Sequence, residues 1–181
     1  MTQSTFLFLG DSLIADYDWQ ERMHHFKVIN NGIPGETVQG LLNRIPLITE
    51  SVKNPELVFL MIGTNNLIIE DYSFLDTLKQ IIIQLTASYP TAEVITNSLL
   101  PCQLPWLGMK ALTKLNKEIE PMTQQTGSCY LDMFSKLTPT PDFFQNDGIH
   151  LQPKAYELWA KNILKFVSFL IEDDNLPLTN I

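Results

Sequence analysis

The chain has 181 residues, 45% of them hydrophobic, which is enough for one domain with a full core. Its formal charge of −8 disfavours a nucleic-acid partner or an anionic membrane surface, which require clustered Lys and Arg. The longest apolar stretches, 57–62 and the Lys-interrupted 159–171, fall short of the ~20 clean residues of a spanning helix, so no stable membrane insertion is expected.

In chain order, the apolar run at 5–9 reads as a buried strand that Gly10 breaks, leaving Ser12 in the turn at its end. It is too short for a signal-peptide core and no small-residue cleavage site follows, so a cytoplasmic location is the expectation. His24 and His25 are adjacent, point apart on a helix and do not pair as a metal site. A second strand is expected at 27–30, followed by the turn NNGIPGET, and a third at 57–62, followed by GTNN. Phe74, Leu75, Leu78, Ile81, Ile82 and Leu85 repeat at helical spacing until Pro90 closes the segment. A fourth strand follows at 93–97. The segment 99–112, LLPCQLPWLGMKAL, reads as a loop whose apolar residues either face an acyl group or anchor the loop to the sheet. Tyr17 and Trp19 carry the same two readings. A fifth strand is expected at 128–131. Pro153 then opens a helix with a stripe of period 3.6 through Ala155, Trp159, Ile163 and Leu170. Cys102 and Cys129 lack CxxC spacing and read as packed thiols.

Strands alternating with helices favour an α/β fold with a mostly parallel sheet of about five strands, in one domain over 1–171 with a polar tail at 172–181. In such a sheet the turns after the first three strands share one edge. Serine needs a base to act as a nucleophile, and His150, in NDGIHLQP with Asp147 three residues earlier, is suited to that task. A carboxylate on one ring nitrogen would fix the tautomer and leave the other free to accept the proton of Ser12. On spacing alone, Asp147 as a turn cap and His150 as a packed residue fits nearly as well. Gly32, through its backbone N–H, and Asn65, through its amide, are candidate oxyanion donors. Asp11 and Asp147 as a glycosidase pair, or with His150 as a hard-metal site, would leave the serine, the glycine turn and the amide unexplained. Asp11 is instead expected to bond backbone in its own turn and hold the serine's geometry.

GDSL at 10–13, NNGIPGET at 30–37, GTNNL at 63–67 and DGIHL at 147–151 occur together and in order. In these four blocks the chain resembles the SGNH hydrolase superfamily, the GDSL esterase/lipase family. The resemblance implies a flavodoxin-like three-layer α/β/α sandwich with no cofactor and no metal. It implies a triad of Ser12, Asp147 and His150, and an oxyanion hole from the Ser12 and Gly32 N–H groups and the Asn65 side chain. The third block often reads GxND, and Asn66 here stands where the acid would be, which changes local bonding and charge. The activity implied is hydrolysis of a small-molecule carboxylic ester, with short-chain acyl esters, lysophospholipids and acetyl esters all in range. The alternative is a flavodoxin-like module that binds a small acylated or anionic ligand without turning it over.

Overall fold

The computed structural model describes residues 3–138 and 140–172. Its strands are β1 (Thr5–Gly10), β2 (Lys27–Gly32), β3 (Leu57–Met61), β4 (Glu93–Asn97) and β5 (Cys129–Leu131). All pair in parallel, in the order β2-β1-β3-β4-β5, with Leu7 opposite Ile29 on one side and Val58 on the other. The helices are α1 (Ser12–Ala15), α2 (Trp19–Arg22), α3 (Val38–Ser51), α4 (Thr64–Ile68), α5 (Leu75–Ser88), α6 (Met109–Gln125), α7 (Phe134–Leu137) and α8 (Pro153–Glu172).

Successive residues of a strand face opposite sides, and here both sides are covered, so the central strands are apolar throughout. Leu7, Leu9, Val58 and Leu60 pack in one core with Leu41 and Ile45 of α3, Ile81 and Leu85 of α5 and Ile119 of α6. Phe6, Phe8, Phe59 and Met61 face the other core with Leu13 of α1, Trp19 of α2 and Trp159 and Ile163 of α8. The result is the three-layer flavodoxin-like sandwich. Trp159 is fully buried and satisfies its indole N–H on Asn97 Oδ1 at 3.1 Å. Trp19 is likewise core, and Tyr17 stacks on Tyr156 with centroids 4.6 Å apart.

Three elements differ from the sequence reading. β2 runs on to Gly32 through Asn30 and Asn31, which an edge strand tolerates because much of it faces solvent. α3 was not anticipated, and it contains Pro46. The segment read as a loop over 99–112 ends earlier, because α6 starts at Met109. Its apolar residues mostly anchor it: Leu99, Leu100, Cys102, Leu104 and Leu107 are buried, while Trp106 is 47% exposed. The expected tail at 172–181 lies, beyond Glu172, outside the described residues. No helix among the described residues is long and apolar enough to cross a membrane.

Candidate active site

The first three strands end on one edge, where Gly10, Gly32 and Met61 are neighbours across the sheet. A Cβ on Gly10 would lie 2.0 Å from the Met61 carbonyl oxygen, so only glycine lets the chain turn there. Asp11 follows as the N-cap of α1, its Oδ1 accepting from the Leu13 N–H at 3.0 Å. That cap starts the helix at Ser12.

Asp11 is completely buried, and its Oδ2 has no hydrogen-bond partner among the described residues. Burial pushes its carboxyl up to about 7, against the opposing pull of the Leu13 N–H, Thr64 and His150. A folded-state value raised above the ordinary 3.8 means stability that is complete below pH 4 and lost as pH rises through about 7. At 1.36 kcal/mol per unit the upper bound is about 4 kcal/mol. Asp11→Asn keeps an acceptor for Leu13 and cannot ionise. Urea unfolding at pH 4.5 and pH 8 is therefore expected to show a smaller loss of stability with pH in the variant; the same loss in both proteins refutes the assignment.

The second part of the site is a loop closed by a bridge between Phe144 and Leu151 and by the Gln145 N–H donating to the His150 carbonyl at 2.7 Å. Gly148 turns it with φ +70°, and its carbonyl accepts from the Gln103 N–H at 2.8 Å. Asp147 Oδ1 accepts from the N–H groups of Ile149 and His150, at 2.9 and 3.0 Å. Its Oδ2 lies 2.6 Å from His150 Nδ1. The bond from His150 is the main reason the Asp147 carboxyl falls to about 2, so it is ionised at any working pH. An imidazole that donates from Nδ1 presents a bare Nε2, and Nε2 is 3.1 Å from Ser12 Oγ. Ser12, His150 and Asp147, separated by up to 138 residues in sequence, thus stand in one hydrogen-bonded series.

The segments that follow β1, β2 and β3 carry backbone and amide donors. As the first residue of α1, Ser12 has an N–H with no acceptor among the described residues. Asn65, in α4, donates one amide hydrogen to the Glu36 carbonyl at 3.0 Å, leaving the other unclaimed among the described residues. Gly32 departs from expectation. Its N–H already donates to Asn30 Oδ1 at 3.0 Å, and a Cβ there would sit 2.5 Å from the Ala15 nitrogen. Gly32 therefore serves close packing of β2 against the Asp11–Ala15 segment, and its N–H is already engaged. Gly35, in the turn that follows β2, has φ +78°, open space where a Cβ would be, and an N–H with no acceptor among the described residues. It is joined by a peptide bond to Glu36, whose carbonyl holds Asn65. The only sequence signal for Gly35 was the second glycine of NNGIPGET.

Asn66 is fully buried and ties three segments together. Its Oδ1 accepts from the Val38 N–H at the start of α3, and its Nδ2 donates to Gln39 Oε1 and Asp71 Oδ2 at 2.8 and 2.7 Å. The negative charge absent from position 66 is supplied by Asp71, whose carboxyl is held below its usual range by donors from Ser73 and Asn66. Trp106 reaches the same region, donating its indole N–H to the Leu67 carbonyl at 3.2 Å. The 98–108 segment thereby bridges α4 and the Asp147–His150 loop.

Residues 8–158 match the GDSL-like lipase/acylhydrolase family, and the chain belongs to that family. It is 24% identical over 164 residues to the isoamyl acetate-hydrolyzing esterase of Schizosaccharomyces pombe, a match covering 81% of this chain and 65% of that protein. Among solved structures it resembles the lipase/acylhydrolase from Enterococcus faecalis, with TM-score 0.77 and 20% identity over 91% of this chain and 95% of that one. It is also similar to the psychrotrophic esterase EstA from Pseudoalteromonas sp., solved in a form inhibited by monoethylphosphonate. The TM-score is 0.76 and the identity 20%, over 93% of this chain and 99% of that one. At such identities these two structures speak to the fold.

Proposed function

We propose that the chain is a serine hydrolase that cleaves small carboxylic esters through an acyl-enzyme on Ser12. The observation that carries this reading is the series Ser12 Oγ to His150 Nε2 at 3.1 Å and His150 Nδ1 to Asp147 Oδ2 at 2.6 Å. A hydroxyl directed at a bare imidazole nitrogen, with a carboxylate behind the ring, is what an otherwise weak nucleophile needs.

In the acylation step Ser12 Oγ attacks the ester carbonyl as its proton passes to His150 Nε2. The imidazolium that forms is stabilised by Asp147. The negative charge on the former carbonyl oxygen is met by the Ser12 N–H, the free Asn65 amide hydrogen and the Gly35 N–H, with Gly35 taking the place assigned to Gly32 from sequence. His150 then returns the proton to the departing alcohol, and water repeats the cycle in reverse to release the acid. A short acyl group is the reading supported by the named substrate of the fission yeast relative.

The test is labelling with a fluorophosphonate alongside turnover of p-nitrophenyl acetate. Stoichiometric label on the Ser12 peptide with ester turnover is the expected result; ligand binding with neither label nor turnover overturns the reading in favour of a binding module. In the same assay Asn65→Ala is expected to lower kcat by roughly 10² to 10³, the scale for one oxyanion donor, with KM little changed. An unchanged kcat removes Asn65 from the mechanism.

A further inference from the structure

One ion pair outside the Ser12 series plays no part in the proposed mechanism. Arg44, on α3, donates from Nε to Glu36 Oε1 at 2.6 Å and from Nη2 to Glu36 Oε2 at 2.7 Å. The same Nη2 donates to the Asn31 carbonyl at 2.9 Å. The side chains are 22% and 6% exposed, so most of the pair is withdrawn from water, where a two-pronged guanidinium–carboxylate contact is strongest and most directional.

What makes the pair more than a brace is where its ends fall. Asn31 precedes the glycine that packs on the nucleophile turn, and Glu36 follows Gly35. The Glu36 carbonyl is also the acceptor that orients the Asn65 amide at 3.0 Å. Apart from this grip, the 33–36 turn is held by the Ile33 N–H on the Gly10 carbonyl at 2.9 Å and the Glu36 N–H on the Ile33 carbonyl at 3.1 Å. Neither bond engages the Glu36–Thr37 peptide, whose carbonyl faces Asn65. A Cβ on Gly40 would lie 3.2 Å from Glu36 Cγ, so the glycine leaves the Glu36 side chain room to lie along the first turn of α3 within reach of Arg44.

We infer that Arg44 is a positioning residue: by gripping the Glu36 carboxylate and the Asn31 carbonyl, it aims the Gly35 N–H and the Asn65 amide at the oxyanion. The inference rests on the hydrolase reading above and deepens it. Arg44 touches no reacting atom, so its removal displaces donors without deleting them. Donors placed in advance act on the charge that develops in the transition state and little on the bound ester, so the loss belongs in kcat.

The test compares Arg44→Met and Arg44→Lys with wild type, each alone and combined with Asn65→Ala, using p-nitrophenyl acetate. Arg44→Met is expected to lower kcat by about tenfold or more with KM within about twofold. Arg44→Lys, which keeps the charge but not the fork, is expected to fall between. The shape of the kcat/KM pH profile should not change, because the Ser12, His150 and Asp147 series is untouched. In the Asn65→Ala background the added effect of Arg44→Met should shrink, since one of the donors it aims is gone. Full multiplication of the two losses overturns the inference, as does a wild-type kcat in a folded Arg44→Lys or Arg44→Met protein. If Arg44→Met does not fold, the Arg44→Lys arm decides by the same criteria. Wild-type protein that neither turns over the ester nor takes the phosphonate label at Ser12 defeats the hydrolase reading itself, a result distinct from active protein indifferent to Arg44.

Discussion

Ser12→Ala is expected to lower kcat for p-nitrophenyl acetate by about 10⁴ to 10⁶ and to abolish phosphonate labelling, while the fold hardly changes. The two halves follow from different bonds. The side chain of Ser12 makes one contact that matters, to His150 Nε2 at 3.1 Å, and no apolar core depends on its hydroxyl. The start of α1 depends on Asp11, whose Oδ1 caps Leu13, and alanine is a better helix former than serine. The melting temperature should therefore stay within a few degrees of wild type. Residual turnover would come from the proposed oxyanion donors, which the substitution leaves in place. Retention of more than a tenth of the wild-type kcat would show that the ester is cleaved elsewhere.

The parts of the molecule that could be read from sequence are those where local chemistry and tertiary context agree. β1 and β3 are continuous apolar runs because both sheet faces are covered, and each ends at a glycine turn that the pattern exposes. β2 carries Asn30 and Asn31 within its last three residues, and at the sheet edge nothing forces those positions to be apolar. α3 buries Val38, Leu41, Ile45 and Ile48 at helical spacing, but Pro46 argues locally against a helix, and packing against the sheet overrides that preference. The same conflict arises at Pro121 in α6.

At the site, Ser12, Asp147 and His150 announce themselves because each sits in a short motif with turn residues around it. The choice between Gly32 and Gly35 does not. One glycine ends β2 and the other lies three residues on in the turn beyond it, and which N–H stays free depends on the Asn30 side chain, which is held by its own bond to the Ile14 carbonyl at 3.0 Å. Arg44 was invisible for a related reason. Its contact with Glu36 spans eight residues across the start of α3, and without that helix the two have no reason to meet.

Asp147→Asn is expected to cost more activity than Asp147→Ala, an order opposite to what conservative size would suggest. Asp147 Oδ1 already accepts two main-chain N–H groups, so an asparagine placed there directs its oxygen at them and its NH₂ at His150 Nδ1. A donor at Nδ1 requires that nitrogen to be bare, which moves the ring proton to Nε2, toward Ser12. The imidazole can then no longer accept the hydroxyl proton, and a fall in kcat of about 10³ to 10⁴ follows. Turning the amide around would face its NH₂ to two N–H donors, which is no better. Alanine leaves room for water to accept from Nδ1, because the Asp147 side chain is 46% exposed, so the productive tautomer survives. The same exposure lets water screen the carboxylate charge, so fixing the tautomer should account for more of its effect than stabilising the imidazolium. Because the carboxyl sits at about 2, its contribution is complete above pH 4 and lost only as pH falls through that low value. Asp147 thus cannot supply an acid limb at higher pH. Steady-state kcat for the two variants decides the matter, and an alanine variant as slow as the asparagine variant, or slower, would mean that the charge of Asp147 outweighs its control of the His150 tautomer.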